Sequence, residues 1–208
     1  LGSGKSSILS ALLRLIELSS GRILVDDMDL STVPRQTIRG AITALPQEPV
    51  VLSGSIRTNI DPVGRYASDN EALTVALQRV QLWEAVRQRG GLDSEFTTSS
   101  FSLGQQQLLC LARCLLSNQG KILLLDEATS SIDRDTTEII RDVLKNEFAD
   151  CTVVEVLHRL DNIMDYDDVF VIQDGVPVEV GRPADLLSRT GSMLKELRDS
   201  VDRNTGYH

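Results

Sequence analysis

Basic residues are scarce beside acidic ones: 21 Lys and Arg face 30 Asp and Glu, a formal net charge of −9. That balance argues against a general nucleic-acid surface, which needs a basic patch. Cysteine is sparse too. Cys110, Cys114 and Cys151 have the spacing of neither a disulfide framework nor a metal-ligand cluster, so a setting with reduced thiols is expected. Cys110 and Cys114 lie four apart on an expected helix and read as core packing. No apolar run approaches the ~18–20 residues of a membrane-spanning helix, and no signal peptide is evident. The chain also lacks an initiator Met.

What is present suffices for a substantial core. A chain of 208 residues with 41% hydrophobic content has room for one main body and an attached lobe. The most informative stretch runs from Phe101 to Asp133. Within it, Ile122 to Leu125 is an unbroken apolar run ending in Asp126 and Glu127, the pattern of a strand buried on both faces of a parallel sheet. Ligands of open α/β sheets bind at the carboxyl ends of such strands. Where the chain turns at the strand end, two adjacent acids can serve one ligand in different roles. A solvated acidic loop is the plain alternative.

Upstream, Ser102 is a good helix cap and Gly104 permits close backbone approach. Apolar residues at 108, 109, 111, 112, 115 and 116 give Gln105 to Ser117 a wide buried helical face. The free N–H groups and partial positive charge at that helix start suit phosphate. An ordinary capped helix fits the same residues.

The chain opens on Leu1-Gly2-Ser3-Gly4-Lys5-Ser6-Ser7. Gly4-Lys5-Ser6 matches the end of a G-x-x-x-x-G-K-[ST] phosphate loop, while the first glycine and the feeding strand would lie before Leu1. Backbone N–H groups from Ser3 to Ser7 can cradle phosphates, Lys5 supplies charge to the outer ones, and the Ser6 hydroxyl can ligate magnesium. Ile8, Leu9, Leu12, Leu13 and Ile16 then repeat as a face suited to packing on a sheet.

Short strands are expected at 22–26, 42–45, 152–156 and 169–172, the last as one arm of a hairpin at Gly175. Helices are expected after Pro34, over 69–90 and over 134–148. Strands alternating with helices imply a parallel α/β sheet. Gln47 and His158 both follow strands. An amide or a lone histidine there is usually structural, but His158 stands on the same expected edge as Glu127, which makes it a candidate.

The ordered set Gly2-Ser-Gly-Lys-Ser-Ser7, Pro46-Gln47, Phe101-Ser-Leu-Gly-Gln105, Ile122-Leu-Leu-Leu-Asp-Glu127-Ala-Thr, Ser131-Ile-Asp133 and His158-Arg-Leu resembles an ATP-binding cassette (ABC) domain over nearly the whole chain. Pro46-Gln-Glu-Pro-Val, Ser53-Gly-Ser-Ile-Arg, Asn59-Ile-Asp-Pro62, the Gln105-Gln-Gln-Leu-Leu-Cys-Leu-Ala-Arg run and the retained Glu127 are most similar to the second cassette of a C-subfamily exporter, the multidrug-resistance and conjugate-pump type. The signature departs from Leu-Ser-Gly-Gly-Gln at Phe101 and Leu103, and a bulky Leu103 restricts approach to a γ-phosphate.

That resemblance implies a P-loop NTPase (RecA-like) α/β fold, with a mainly parallel sheet flanked by helices, an inserted helical subdomain, and its first strands missing. Residues 1–208 would form one cassette, with 1–66 and 121–208 as the core and 67–120 as the helical lobe carrying the signature helix. Gly2, Ser3, Gly4, Lys5, Ser6 and Ser7 would hold the phosphates of ATP. Ser6 and Gln47 would approach Mg2+, with Asp126 behind its water. Glu127 would polarise the attacking water, and His158 would contact the γ-phosphate. Ser102, Gly104 and Gln105 would bind ATP held by a second cassette, and Asp133 would couple the two sites.

The implied partners are that second cassette, transmembrane domains and a small molecule carried through them, with no nucleic acid. The implied place is the cytoplasmic face of a plasma or vacuolar-type membrane. A soluble ATPase of the ribosome or DNA-repair kind, and a nucleotide-gated channel, share these motifs. The chain also reads as cut inside its own phosphate loop. A lost adenine stack is worth about 1–3 kcal/mol, and each aliphatic side chain of a lost central strand about 1.5–3 kcal/mol, so the piece alone is expected to be poorly folded and inactive.

Overall fold

The computed structural model describes residues 4–117, 120–157 and 160–204. In chain order, α1 (Lys5–Leu12) precedes the short strands β1 (Leu24–Val25) and β2 (Met28–Asp29), and α2 (Arg35–Ala41) leads into β3 (Ile42–Leu45). Next come α3 (Ile56–Ile60), α4 (Asn70–Arg79), α5 (Trp83–Gln88) and the long α6 (Leu103–Ser117). β4 (Ile122–Asp126), α7 (Arg134–Glu147) and β5 (Thr152–Val156) follow. The chain ends with the strands β6 (Val169–Gln173) and β7 (Val176–Gly181) and the helices α8 (Pro183–Ser188) and α9 (Met193–Asn204). Contacts divide it into two compact units, residues 20–155 and residues 1–19 with 156–208.

In the first of these, β3, β4 and β5 form a sheet in that order. β3 and β4 run parallel in the register Ile42–Ile122 to Leu45–Leu125. The apolar run that suggested a doubly buried strand is one: Leu123, Leu124 and Leu125 are buried. α6 packs on β3 and against α3, α4 and α7, and its Leu109, Leu111 and Ala112 join Leu45, Leu77, Leu125, Ile140 and Phe148 in one core. Trp83 packs at the margin of that core. Cys110 and Cys114 are buried in it, and burial pushes the Cys114 thiol up to about 12.

Three local features differ from the sequence reading. The helical pattern over 69–90 is broken into α4 and α5 at Gln81, whose φ of 56° is left-handed. The polar connection after the first short strand is itself a hairpin, turned by Asp26 and Asp27 with φ of 48° and 64°. Gly90-Gly91 and the polar run to Ser100 read in the sequence as a flexible approach, but its first part is held by main-chain bonds: Leu92 O accepts from Arg57 N (2.8 Å), Ser94 O from Ile56 N (3.0 Å), and Phe96 N donates to Gly54 O (2.8 Å).

In the other unit, β6 and β7 pair antiparallel through Asp174 and Gly175, as the hairpin expectation had it. Ile163, Val171, Leu186 and Leu194 form a small core under the hairpin and the last helices. In α1, Leu9 and Ala11 are buried while Ile8, expected on the inner face, is 45% exposed.

Glu179 of β7 fastens the start of α9. It accepts from Met193 N (2.9 Å), Leu194 N (3.0 Å) and the Ser192 hydroxyl (3.1 Å). The Leu194 N–H foremost, with the Met193 N–H and the Ser192 hydroxyl, holds its carboxyl below the usual range against desolvation. A carboxyl depressed in the folded state stabilises it above the unfolded pKa, and that contribution is lost as pH falls through the folded value. Melting temperature followed from pH 6 to pH 3 should therefore fall on the acid side. Glu179→Gln should melt lower than the parent near neutrality, with the gap closing in acid. An equal gap at every pH would dissociate Glu179 from the acid limb.

Candidate functional site

The carboxyl ends of β3 and β4 are neighbours because the two strands are parallel and in register. Beyond β3 the chain turns at Pro46 and presents Gln47, and beyond β4 it presents Glu127. The Gln47 Nε2 donates to Glu127 Oε2 at 3.1 Å. Residues 80 apart in sequence thus meet at one sheet edge. Asp126 is the last residue of β4. Glu127 departs from the strand with φ of 51°. A non-glycine residue held there is strained by about 1–3 kcal/mol, which clusters at functional positions.

A second group forms where α6 begins. Ser102 and Gln105 close a reciprocal cap: Gln105 N donates to Ser102 Oγ (3.2 Å), and Ser102 N donates to Gln105 Oε1 (3.1 Å). Gly104 lies against the start of α7. Asp133 caps that helix by accepting from Thr136 N (2.9 Å), and its other oxygen takes the Thr136 hydroxyl (2.8 Å). These bonds, the backbone N–H foremost, hold the Asp133 carboxyl below its usual range. A Cβ on Gly104 would stand 2.8 Å from Thr136 Oγ1 and 3.1 Å from Asp133 Oδ2. Glycine is required there by space rather than by dihedral angle.

The departures from the signature pattern have distinct settings. Phe101 is buried, stacks on Phe96 at 4.9 Å between ring centroids, and lies under the Arg89 guanidinium at 4.7 Å. It acts as a packing wedge. Leu103, in the first turn of α6, is 45% exposed.

Lys5, Ser6 and Ser7 form the first turn of α1, behind Gly4 at the cap position with φ of 91°. A left-handed cap of this kind favours glycine and aims the first amides outward. Gly2, Ser3 and His158 lie outside the described residues. The structure therefore brings Gln47 together with Glu127, Ser102 with Gln105, and Gly104 with Asp133. Thr136, which the sequence reading passed over, belongs to the second group through its two bonds to Asp133.

Residues 1–130 match the family described as ABC transporter. Over 196 residues the chain is 45% identical to "ABC multidrug transporter B" of Aspergillus fumigatus, covering 94% of this chain and 13% of that protein. Over 192 residues it is 40% identical to "ATP-binding cassette sub-family C member 2" of Homo sapiens, covering 91% of this chain and 12% of the relative. The chain thus spans about an eighth of the length of these curated relatives. A bacterial Atm1-family ABC exporter solved with ATP bound superposes with a TM-score of 0.87 at 30% identity, over 99% of this chain and 35% of that one.

Proposed function

Because the chain belongs to the ABC transporter family, we propose that it is the ATP-binding and ATP-hydrolysing cassette of an exporter, most like the second cassette of a C-subfamily pump for drugs or organic anion conjugates. The observation that carries the reading is the Gln47–Glu127 contact at the carboxyl ends of two adjacent parallel strands. In this reading residues 67–120 are the helical subdomain and the remainder is the nucleotide-binding core.

The residues available fit ATP with magnesium. Ser6, Gln47 and Asp126 offer hard oxygen donors, few enough that phosphates and water complete the shell. Gly4 and the first turn of α1 offer amides and the Lys5 charge. When bound, ATP supplies the phosphoryl group to be transferred and magnesium offsets its charge.

Glu127 holds the attacking water and draws its proton toward a carboxylate oxygen. Gln47 fixes that carboxylate through Oε2 and reaches toward the metal. Gly2 to Ser7 hold the phosphates, and His158 contacts the γ-phosphate and orders that water. Ser102, Gly104 and Gln105 serve ATP held by a second cassette, with Asp133 linking the two sites. This cassette's Lys5, Asp126, Glu127 and His158 make its own site the hydrolytic one, while its Phe101 signature faces the weaker site. The whole assembly, with transmembrane domains, works at the cytoplasmic face of a membrane.

The test is transport by the complete protein that carries this cassette. In inside-out vesicles it should take up a labelled organic anion conjugate saturably and only with hydrolysable ATP. Ion current without solute flux would replace the pump with a channel, and ATPase activity without membrane association would replace it with a soluble cassette.

A further inference from the structure

One stripe of α6 carries polar groups beside its buried apolar face. Gln107 Nε2 donates to the Pro46 carbonyl (2.9 Å), Cys110 Sγ to Val50 O (3.6 Å), and Arg113 reaches Val50 O through Nη1 (3.0 Å) and Asn59 O through Nε (2.7 Å). Residues 107, 110 and 113 recur at helical spacing, so they form one stripe along the helix. Their acceptors are main-chain carbonyls of a single segment, the loop that starts at Pro46 and the helix α3 it leads into. That loop is closed on itself by Asn59, which accepts from Leu52 N (2.8 Å) and donates to Leu52 O (2.8 Å) and Ser55 O (3.0 Å).

Stability alone does not account for the stripe. Gln107 is 1% exposed, yet its Oε1 has no hydrogen-bond partner among the described residues, and neither has Arg113 Nη2. A buried polar atom left unpaired is destabilising, and an apolar side chain of equal volume would avoid that penalty. What the amide alone provides is a grip on the carbonyl next to Gln47.

We propose that Gln107, supported by Arg113, is a positioning residue for Gln47: it fixes the start of the loop so that the Gln47 amide meets Glu127. The proposal rests on the reading of Gln47 and Glu127 as parts of the hydrolytic site. Gln107 stands two residues beyond Gln105 of the reciprocal cap, so the helix that presents Ser102 and Gln105 also sets the reach of Gln47.

The test compares Gln107→Met, Gln47→Ala and the double variant in the complete protein. Gln107→Met should lower the kcat of ATP hydrolysis about 10- to 100-fold, as a misplaced catalytic group does. The KM for ATP should stay within about twofold, because the lost interaction belongs to the chemical step, and the magnesium concentration for half-maximal rate should rise, because a displaced Gln47 offers its amide oxygen less well to the metal. The double variant should be no slower than Gln47→Ala alone.

Unchanged kcat and magnesium dependence in Gln107→Met, or losses that multiply in the double variant, would overturn the proposal. If Gln107→Met does not reach the membrane, Arg113→Lys carries the same comparison, since an ammonium cannot span both the Val50 and Asn59 carbonyls. Normal hydrolysis by Gln47→Ala and Glu127→Gln would remove the site reading itself. Loss in those two with none in Gln107→Met would remove only the positioning role.

Discussion

Glu127→Gln in the complete protein should cut ATP hydrolysis by about 10²- to 10⁴-fold, the range associated with a positioned general base, while ATP affinity changes little. The amide matches the carboxylate in size, and its oxygen can still accept from Gln47 Nε2 where Oε2 does now at 3.1 Å. The loop on the β3 edge therefore has no reason to move. What disappears is the capacity to take a proton from water. Single-turnover hydrolysis measured beside equilibrium binding of a fluorescent ATP separates the two effects. Unimpaired turnover would exclude Glu127 from the mechanism. A partner cassette whose corresponding glutamate variant is equally dead would remove the inequality of the two sites.

Leu125→Ala should be the most damaging conservative change in the core. Leu125 is 0% exposed, pairs with Leu45 across the parallel register, and immediately precedes Asp126. Truncating a buried leucine costs about 2–5 kcal/mol through lost transfer energy and the cavity left behind. Set against a net domain stability of about 5–15 kcal/mol, that is a large share. The midpoint of thermal inactivation of the ATPase should fall by on the order of 10 °C. Ile8→Ala, at a position 45% exposed, serves as the comparison and should shift it far less. Equal shifts in the two variants would mean that β4 does not anchor the core as its burial implies.

The contrast between Leu125 and Gln81 explains which parts of the fold were legible in the chain. β4 announces itself because four consecutive aliphatic residues have one comfortable environment, the inside of a sheet. α7 and the signature cap are legible for a similar reason, since Asp133 and the Ser102–Gln105 pair are side chains whose hydrogen-bonding habits are local. The break at Gln81 has no such mark. No glycine or proline stands there, and the left-handed residue is imposed by how α4 and α5 pack.

The grip of α6 on the segment from 46 to 59 was hidden for another reason. Gln107 and Arg113 bond to backbone carbonyls 61 and 54 residues away, and a carbonyl is present at every residue, so no sequence pattern records which one is used. Within the site, the acid pair and the glutamine could be read from motif and strand ends, whereas the direct bond between Gln47 and Glu127 required the register of two strands.

The crowding at Gly104 bears on how sequences of this kind can drift. A methyl group at that position collides with the Thr136 hydroxyl, which is itself committed to Asp133. Room is made only by shrinking residue 136, and doing so strips the cap of α7 of one donor. The dependence runs one way: a side chain at position 104 is tolerated once residue 136 has become smaller, so the order in which such changes accumulate is constrained.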